Sequence, residues 1–390
     1  MEKYSGFRDA GTGVQVNMEK YLDTQSHELQ PFLPLVPPAS NILTKILTPI
    51  GYCVGAVRLV LLLAILLVRL AGSVILIIFS AIPPLHRILN HTLTAFTARL
   101  ALFILGLFWI TVDNVTRKRG RSAKDVESWS PRGGDLIVSN WVSWVEVLWL
   151  AFRFDPIFVL PVSQTDPLST GTVRGSDPVT HTPGRRTGTG SANISAPQRA
   201  ATQRISILGF RQVSLLSMIS ATGHAPSSTG PYESLDEIRG RSARPVVVFP
   251  ECTTSNGRGL LRFAQVFRKE IPVKGYSVFV MCVRYDPPTQ HAATLAHTIP
   301  GAGNPLGHLF STAASLAPQS VSVRLLAPSE SPGSQLFLAS EVLGNYSEGD
   351  QLSEACAVLI AQMGKMKRTG LGWEDKVRFL DLFRAKERRQ

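Results

Sequence analysis

Along most of the chain apolar residues return at the short periods of strands and helices, but one stretch has no polar face at all. Leu59 to Val68 is ten apolar residues in a row, Arg69 interrupts, and Leu70 to Ile82 resumes before Pro83-Pro84. As a helix, Leu59 to Ile82 would run roughly 36 Å, enough for a hydrocarbon core of about 30 Å. A buried core helix would show an amphipathic stripe, and none is present. A second apolar run, Leu100 to Val112, is short for a full crossing. We therefore expect residues 54–112 to form a membrane-embedded hairpin, or one tilted span with a shorter re-entrant helix. Arg69 is the cost of this reading, about 2.5–3.5 kcal/mol near mid-membrane. The basic run Arg117-Lys118-Arg119-Gly120-Arg121 would hold the flanks on the cytosolic side. Residues 1–53 are polar, proline-bearing and without a clear period, which predicts a flexible leader with no secretory signal.

After the hairpin the pattern changes to short β-branched runs separated by helical ones. Asp135 to Val138, Phe158 to Val162, Ile205 to Val213, Val246 to Val248, Val278 to Val283 and Val321 to Leu325 read as strands. Helical segments follow several of them, so residues 134–328 predict an α/β domain with a mixed, largely parallel sheet flanked by helices. Residues 164–204 interrupt it. They are Ser, Thr, Gly, Pro and Arg with almost no large apolar side chain, the composition of a disordered insertion. The remainder, 329–390, predicts a helical tail. Its last helix, from Trp373 to Arg388, puts Trp373, Val377, Leu380 and Phe383 on one face, for docking on its own domain or on a membrane surface.

Composition adds two constraints. Hydrophobic residues make up 44% of 390, an excess concentrated in the hairpin, and the formal charge of +12 favours anionic surfaces. Nucleic acid has no supporting motif. Four cysteines, without pairing or metal spacing, fit a reduced, cytosol-facing domain and no metal.

The candidate chemistry sits where the Val246 strand opens into a loop, since ligands of open α/β sheets lie at the carboxyl ends of strands. Glu251 offers a carboxylate, Thr253, Thr254 and Ser255 offer hydroxyls, and Arg258 a fork suited to phosphate. The run Phe249-Pro250-Glu251-Cys252-Thr253-Thr254-Ser255 resembles the F-P-E-G-T-R-S block of the glycerolipid acyltransferase family. Its continuation, Asn256-Gly257-Arg258-Gly259-Leu260-Leu261, is similar to the lysophospholipid acyltransferase branch. Cys252 stands for a Gly and Thr254 for the usual Arg, and Arg258 is the candidate to supply the missing charge. Gly209-Phe210-Arg211 loosely resembles the second block, G-x-x-F-x-x-R. The fourth block usually has a Pro in the next strand, where Phe279-Val280-Met281 stands instead.

That resemblance covers about half the chain and implies a glycerol-3-phosphate-acyltransferase-like fold. It also implies transfer of a fatty acyl group from acyl-CoA, as co-substrate, to lysophosphatidic acid or a related lysophospholipid. Glu251, Thr253, Ser255, Asn256 and Arg258 would bind the acceptor. The most similar members are the fungal ones that act on lysophosphatidic acid, at the endoplasmic reticulum membrane and on lipid droplets with the domain in the cytosol. The family's first block is H-x-x-x-x-D. Aligned on Asn140 and Ser143, this chain has Trp141 in the His place and Glu146 in the Asp place. An indole donates one N–H and accepts nothing, so Trp141 cannot take a proton. None of the eight histidines has an acid five positions later. Glu146 would serve as the base if burial raised its pKa; otherwise a histidine from elsewhere must reach the site, His291 and His297, just past the Val278 strand, being the candidates. The alternative is an acyltransferase-like shell kept for lipid binding or as an adaptor.

Overall fold

The computed structural model describes residues 31–39, 41–117, 127–165, 204–335, 337–343 and 349–388. The expected insertion therefore lies outside the described residues from 166 to 203, as do the first 30 residues and most of the basic run after Arg117.

The helix α1, Ile42–Leu76, is 35 residues long, about 52 Å. It starts well before Val54, inside the stretch expected to be leader. Its two halves have different surroundings. Gly51 and Gly55 lie against Ala314, where an added Cβ would come within 2.9 Å of the Ala314 carbonyl oxygen at Gly51 and 3.1 Å of its Cα at Gly55. Tyr52 stacks on Phe310 at 5.8 Å. Beyond that point the apolar side chains face outward, and Thr44 to Ala81 is apolar and long enough to cross a membrane by length and composition. A 3-10 turn, Ile77–Ala81, leads through Pro83-Pro84, suited to the first helical turn, into α2, Pro83–Ile104. Gly72 lets α2 approach: a Cβ there would meet Leu93 Cδ2 at 2.7 Å. The objection raised by Arg69 is answered locally, because its guanidinium donates to Asn90 Oδ1 and Thr94 Oγ1, both at 3.1 Å.

The second apolar run does not stay in the hairpin. β1, Ile110–Val115, runs parallel to a strand more than two hundred residues later, Ile110 facing Val321 and Val115 facing Leu326. β-Branched Ile110, Thr111 and Val112 suit a strand. The hairpin therefore ends at Ile104 rather than at 112, and the sheet begins at 110 rather than 134.

Then come β2 (Leu136–Ser139), α3 (Val145–Phe154), β3 (Ile157–Ser163), β4 (Ile207–Val213), α4 (Leu215–Ser220), α5 (Leu235–Gly240), β5 (Val246–Val248), β6 (Gly259–Leu260), β7 (Val278–Tyr285), α6 (Leu306–Ala313) and β8 (Val321–Leu326). The chain closes with α7 (Ala339–Leu343), α8 (Gln351–Gly364), β9 (Lys367–Arg368) and α9 (Trp373–Glu387). The seven-stranded sheet has the order β1-β8-β7-β2-β5-β3-β4. Its centre is parallel, with β2 between β7 and β5 and β3 beyond β5, while β7–β8 and β3–β4 are antiparallel. This is a mostly parallel mixed sheet flanked by helices, as the pattern of runs predicts.

The central strands are unbroken apolar runs because both faces are covered. Leu136, Val138, Val246 and Val248 face α8 and Trp373, while Ile137, Val247 and Phe279 face α3 and the end of α2. Residues 329–390 are consequently no appendage. β9 pairs with β6, and Phe379 and Leu380 of α9 form a small core with Leu261, Phe32 and Leu33. The strap 31–39 is part of the fold as well, since Asn256 donates to the carbonyls of Pro31 and Leu33 at 2.9 and 3.1 Å. Arg58 finishes the link between α1 and the domain by donating to the carbonyls of Ala313 and Ser315, at 2.9 and 2.7 Å, at the negative end of α6.

Candidate functional site

Two carboxylates organise the carboxyl edge of β2 and β5. Glu146, in the first turn of α3, accepts the N–H groups of Val142 and Ser143 on one oxygen and the Tyr285 hydroxyl on the other. Glu251 accepts Trp141 N–H at 2.8 Å on one oxygen and Leu261 N–H at 3.0 Å on the other. Both are buried. Burial pushes Glu146 up to about 7 and Glu251 up to about 8, against the lowering by the donors each accepts. Asn140 extends the ladder beside them: its side chain donates to Val283 O at 3.0 Å and accepts Val283 N–H at 2.8 Å. The turn 140–146 and the loop 249–261 are thus clamped together, with Ser255 N–H on Trp141 O at 3.0 Å as a third tie.

Most expected acceptor-binding residues are used up in this clamp. Thr253 Oγ1 donates to the His224 carbonyl at 2.9 Å, Ser255 Oγ accepts Gly257 N–H, and Asn256 is occupied by the strap and by Arg258 N–H. Glu251, Thr253, Ser255 and Asn256 are all buried, so they shape the loop rather than meet a ligand directly. Arg258 is exposed and stands away from the cavity beside Trp141. The cation beneath the loop is Lys376 of α9. It is buried, with its ammonium donating to Thr254 O at 2.6 Å and to Thr254 Oγ1 at 3.1 Å. Thr254 stands where the resembled block has its Arg, and the side chain that reaches this point is Lys376, from 122 residues further on rather than Arg258. Desolvation holds Lys376 well below the ordinary lysine range, and the nearby Glu251 partly opposes that.

A cavity of about 250 Å³ opens beside this clamp. Trp141, Leu160, Val162, Arg211, His224 and Cys252 line it. Trp141 is 1% exposed and stacks on Phe249 at 5.1 Å, yet its indole N–H has no acceptor among the described residues. Cys252 takes φ 58°, the left-handed conformation that explains the glycine usual at this place in the resembled block. Burial and the neighbouring charges of Arg384 and Lys376 hold His224 below the ordinary imidazole range, so it is neutral at pH 7. Among the described residues no carboxylate lines the cavity.

The two histidines that follow the Val278 strand lie elsewhere. His291 borders the groove between the start of α1 and Ala314. His297 hydrogen-bonds Val142 O through its backbone N–H, and its ring Nε2 meets Asn304 Oδ1. The Asn304 amide donates to the Ser220 and Thr222 carbonyls at 2.8 and 2.7 Å, which makes Oδ1 the acceptor and places the proton on Nε2. His308 donates through Nε2 to Thr294 O and accepts Trp144 Nε1–H on Nδ1 at 2.9 Å. His224 was hidden in sequence because it sits in a loop rich in Gly, Pro, Ser and Thr, and only the fold turns that loop toward Trp141.

Burial lowers His297 to about 4 and His308 to about 3. The unfolded chain takes up these protons below about 6.5, the folded chain only near 4 and 3, so their contribution to stability is complete above 6.5 and is lost as pH falls. Glu146 and Glu251 act in the opposite sense between 4.5 and 8. Below 4.5 the histidine term remains, so the melting temperature of the solubilised protein should fall steeply from about pH 4.5 to 3. The fall should be shallower in His297→Asn; an unchanged slope would contradict the assignment.

Comparison of the chain with protein-family models, with curated proteins and with solved structures finds no match in any of the three.

Proposed function

We propose that this protein is a membrane-anchored lysophospholipid acyltransferase, moving a fatty acyl group from acyl-CoA to the free hydroxyl of lysophosphatidic acid. One observation carries the reading. Trp141, Arg211 and Cys252 come from the three separate stretches that resemble acyltransferase blocks, and all three line the same cavity. Arg211 has no ion-pair partner among the described residues and supplies the positive charge that a phosphate requires. This replaces Arg258 in that role.

The reaction needs a proton acceptor, and His224 is the neutral base that lines the cavity. It takes the hydroxyl proton as the oxygen attacks the thioester carbonyl. The carbon–sulfur bond then breaks and the imidazolium returns the proton to the CoA thiolate, so the histidine is restored. Glu146 orients the Trp141 turn instead of acting as base, because its oxygens already hold two backbone amides and a tyrosine hydroxyl. No metal enters. The exposed apolar half of α1 with the first part of α2 forms the anchor, entering and leaving from one side. That geometry suits the endoplasmic reticulum membrane and the monolayer of a lipid droplet alike, with the domain in the cytosol. An adaptor that binds lipid without turnover is the second reading, and the loss of a proton acceptor at Trp141 favours it.

Microsomes expressing the chain, given labelled acyl-CoA and lysophosphatidic acid, separate the two. Acyl incorporation above background that falls about ten- to a hundredfold in Arg211→Ala and about a hundredfold in His224→Gln supports the enzyme. Background incorporation across several lysolipids, with membrane targeting intact, supports the adaptor.

A further inference from the structure

We propose that Phe108 and Trp109, on the turn between α2 and β1, form a second membrane contact, seated in the boundary layer between headgroups and acyl chains. This rests on the membrane anchor of the proposed function and not on acyl transfer. The turn is built to present these two rings. Leu105 caps α2, and Gly106 takes φ 91°, the left-handed region that closes a helix. Gly106 N–H returns to the Phe103 carbonyl and Leu107 N–H to the Leu102 carbonyl, both at 3.0 Å. Leu107 is thereby turned into the core that holds Leu102. Arg99 fixes the next step, donating to the carbonyls of Leu107 and Phe108 at 3.1 and 2.8 Å. Phe108 and Trp109 are left facing outward, 46% and 80% exposed.

Lipid is the partner that fits, because the two rings continue a face that already looks outward. Phe96, Leu100 and Phe103, at i, i+4 and i+7, are the exposed stripe of α2, while Thr94, Thr97, Ala98 and Leu102 are buried on its other side. Phe103 meets Phe108 edge to face at 4.9 Å, so the stripe runs on from helix to turn. Depth follows from what comes next. Asp113 and Asn114 are exposed further along β1, and a carboxylate does not enter hydrocarbon unpaired. A tryptophan, with an apolar ring and one N–H, suits the boundary layer better than the bilayer centre. The contact lies close to the clamp. Ile110 faces Val321, Val321 faces Tyr285, and the Tyr285 hydroxyl donates to Glu146. Two strand spacings, about 10 Å, separate β1 from Tyr285. A lipid surface held at Trp109 therefore lies beside the carboxyl edge of the sheet.

Trp109 is its own probe, since the other five of the six tryptophans are at most 8% exposed. The full-length protein is reconstituted into phosphatidylcholine vesicles, and its fluorescence is compared with that of Trp109→Phe. Flotation with the vesicles comes first: a chain that does not float sinks the anchor reading, and this contact with it. Floating protein isolates the contact, whatever acyl transfer shows. Iodide on both sides of the membrane should quench wild type no more than Trp109→Phe. Nitroxide lipids should quench the difference between the two most strongly with the label near the top of the acyl chain, and least with it near the chain end. Iodide quenching that Trp109→Phe abolishes overturns the proposal, since the ring then stands in water. Strongest quenching from the chain end overturns the boundary depth and the proposal with it. Protection from iodide and from every nitroxide also overturns it, because a second copy of the chain then covers the ring. Should Trp109→Phe fail to fold, wild type decides alone: appreciable iodide quenching overturns the proposal, and its absence together with quenching by the shallow nitroxide upholds it.

Discussion

Glu251→Ala should destabilise the protein by about 2–6 kcal/mol, because it strips the acceptor from two buried backbone amides at about 1–3 kcal/mol each. The amides are those of Trp141 and Leu261, and the carboxylate between them is fully buried. Glu251→Gln should be intermediate: the amide oxygen still serves one N–H, while its NH₂ is turned toward the other. Urea unfolding of the solubilised protein gives the difference directly. If Glu251→Ala melts like wild type but has lost ligand binding, Glu251 faces the ligand after all and the clamp is not what holds the loop. This matters for any activity assay, since a loss of acyl transfer in Glu251→Ala would report a collapsed loop rather than a missing substrate contact.

The second large effect concerns the anchor. Leu63 and Leu67 are 56% and 59% exposed, so arginine at either position breaks no packing within the protein. In a bilayer each arginine near the centre costs about 2.5–3.5 kcal/mol, and the double variant Leu63→Arg/Leu67→Arg should lose about 5–7 kcal/mol of insertion free energy. That corresponds to a roughly four-decade fall in partitioning. Wild type should resist alkaline extraction of membranes and the double variant should not. Equal resistance in both would mean that this face of α1 does not meet lipid. Arg69 is no counterexample, because α2 brings Asn90 and Thr94 to it, whereas residues 63 and 67 have no such neighbours.

What the sequence made legible follows from how local each signal is. The β5 strand and its loop, the unbroken apolar half of α1 and the alternation of strands with helices all depend on residues within a few positions, and each is present. β1 is not legible because Ile110-Thr111-Val112 directly continues an apolar run, and its partner β8 is about two hundred residues away. The strap at Phe32 and Leu33 is hidden for the same reason: two apolar residues among prolines become core only when Phe379 packs against them. Glu251, Ser255 and Asn256 looked like ligands because polar side chains in a loop after a strand often are. Their use as internal struts follows from the path of the backbone around them, which residue type does not encode. Arg258 is near in sequence but exposed, whereas Lys376, 122 residues on from Thr254, is the side chain buried beneath the loop.

The unbroken course of α1 has a mechanical outcome. Its first turns are bolted to α6 by Gly51, Gly55, Tyr52 and Arg58, and the same rod continues without a hinge into its apolar half. Set in lipid, a helix answers a thinner or thicker hydrocarbon layer by tilting. Such a tilt would be handed to the whole α/β body, so local bilayer thickness would set the angle at which that body stands on the surface.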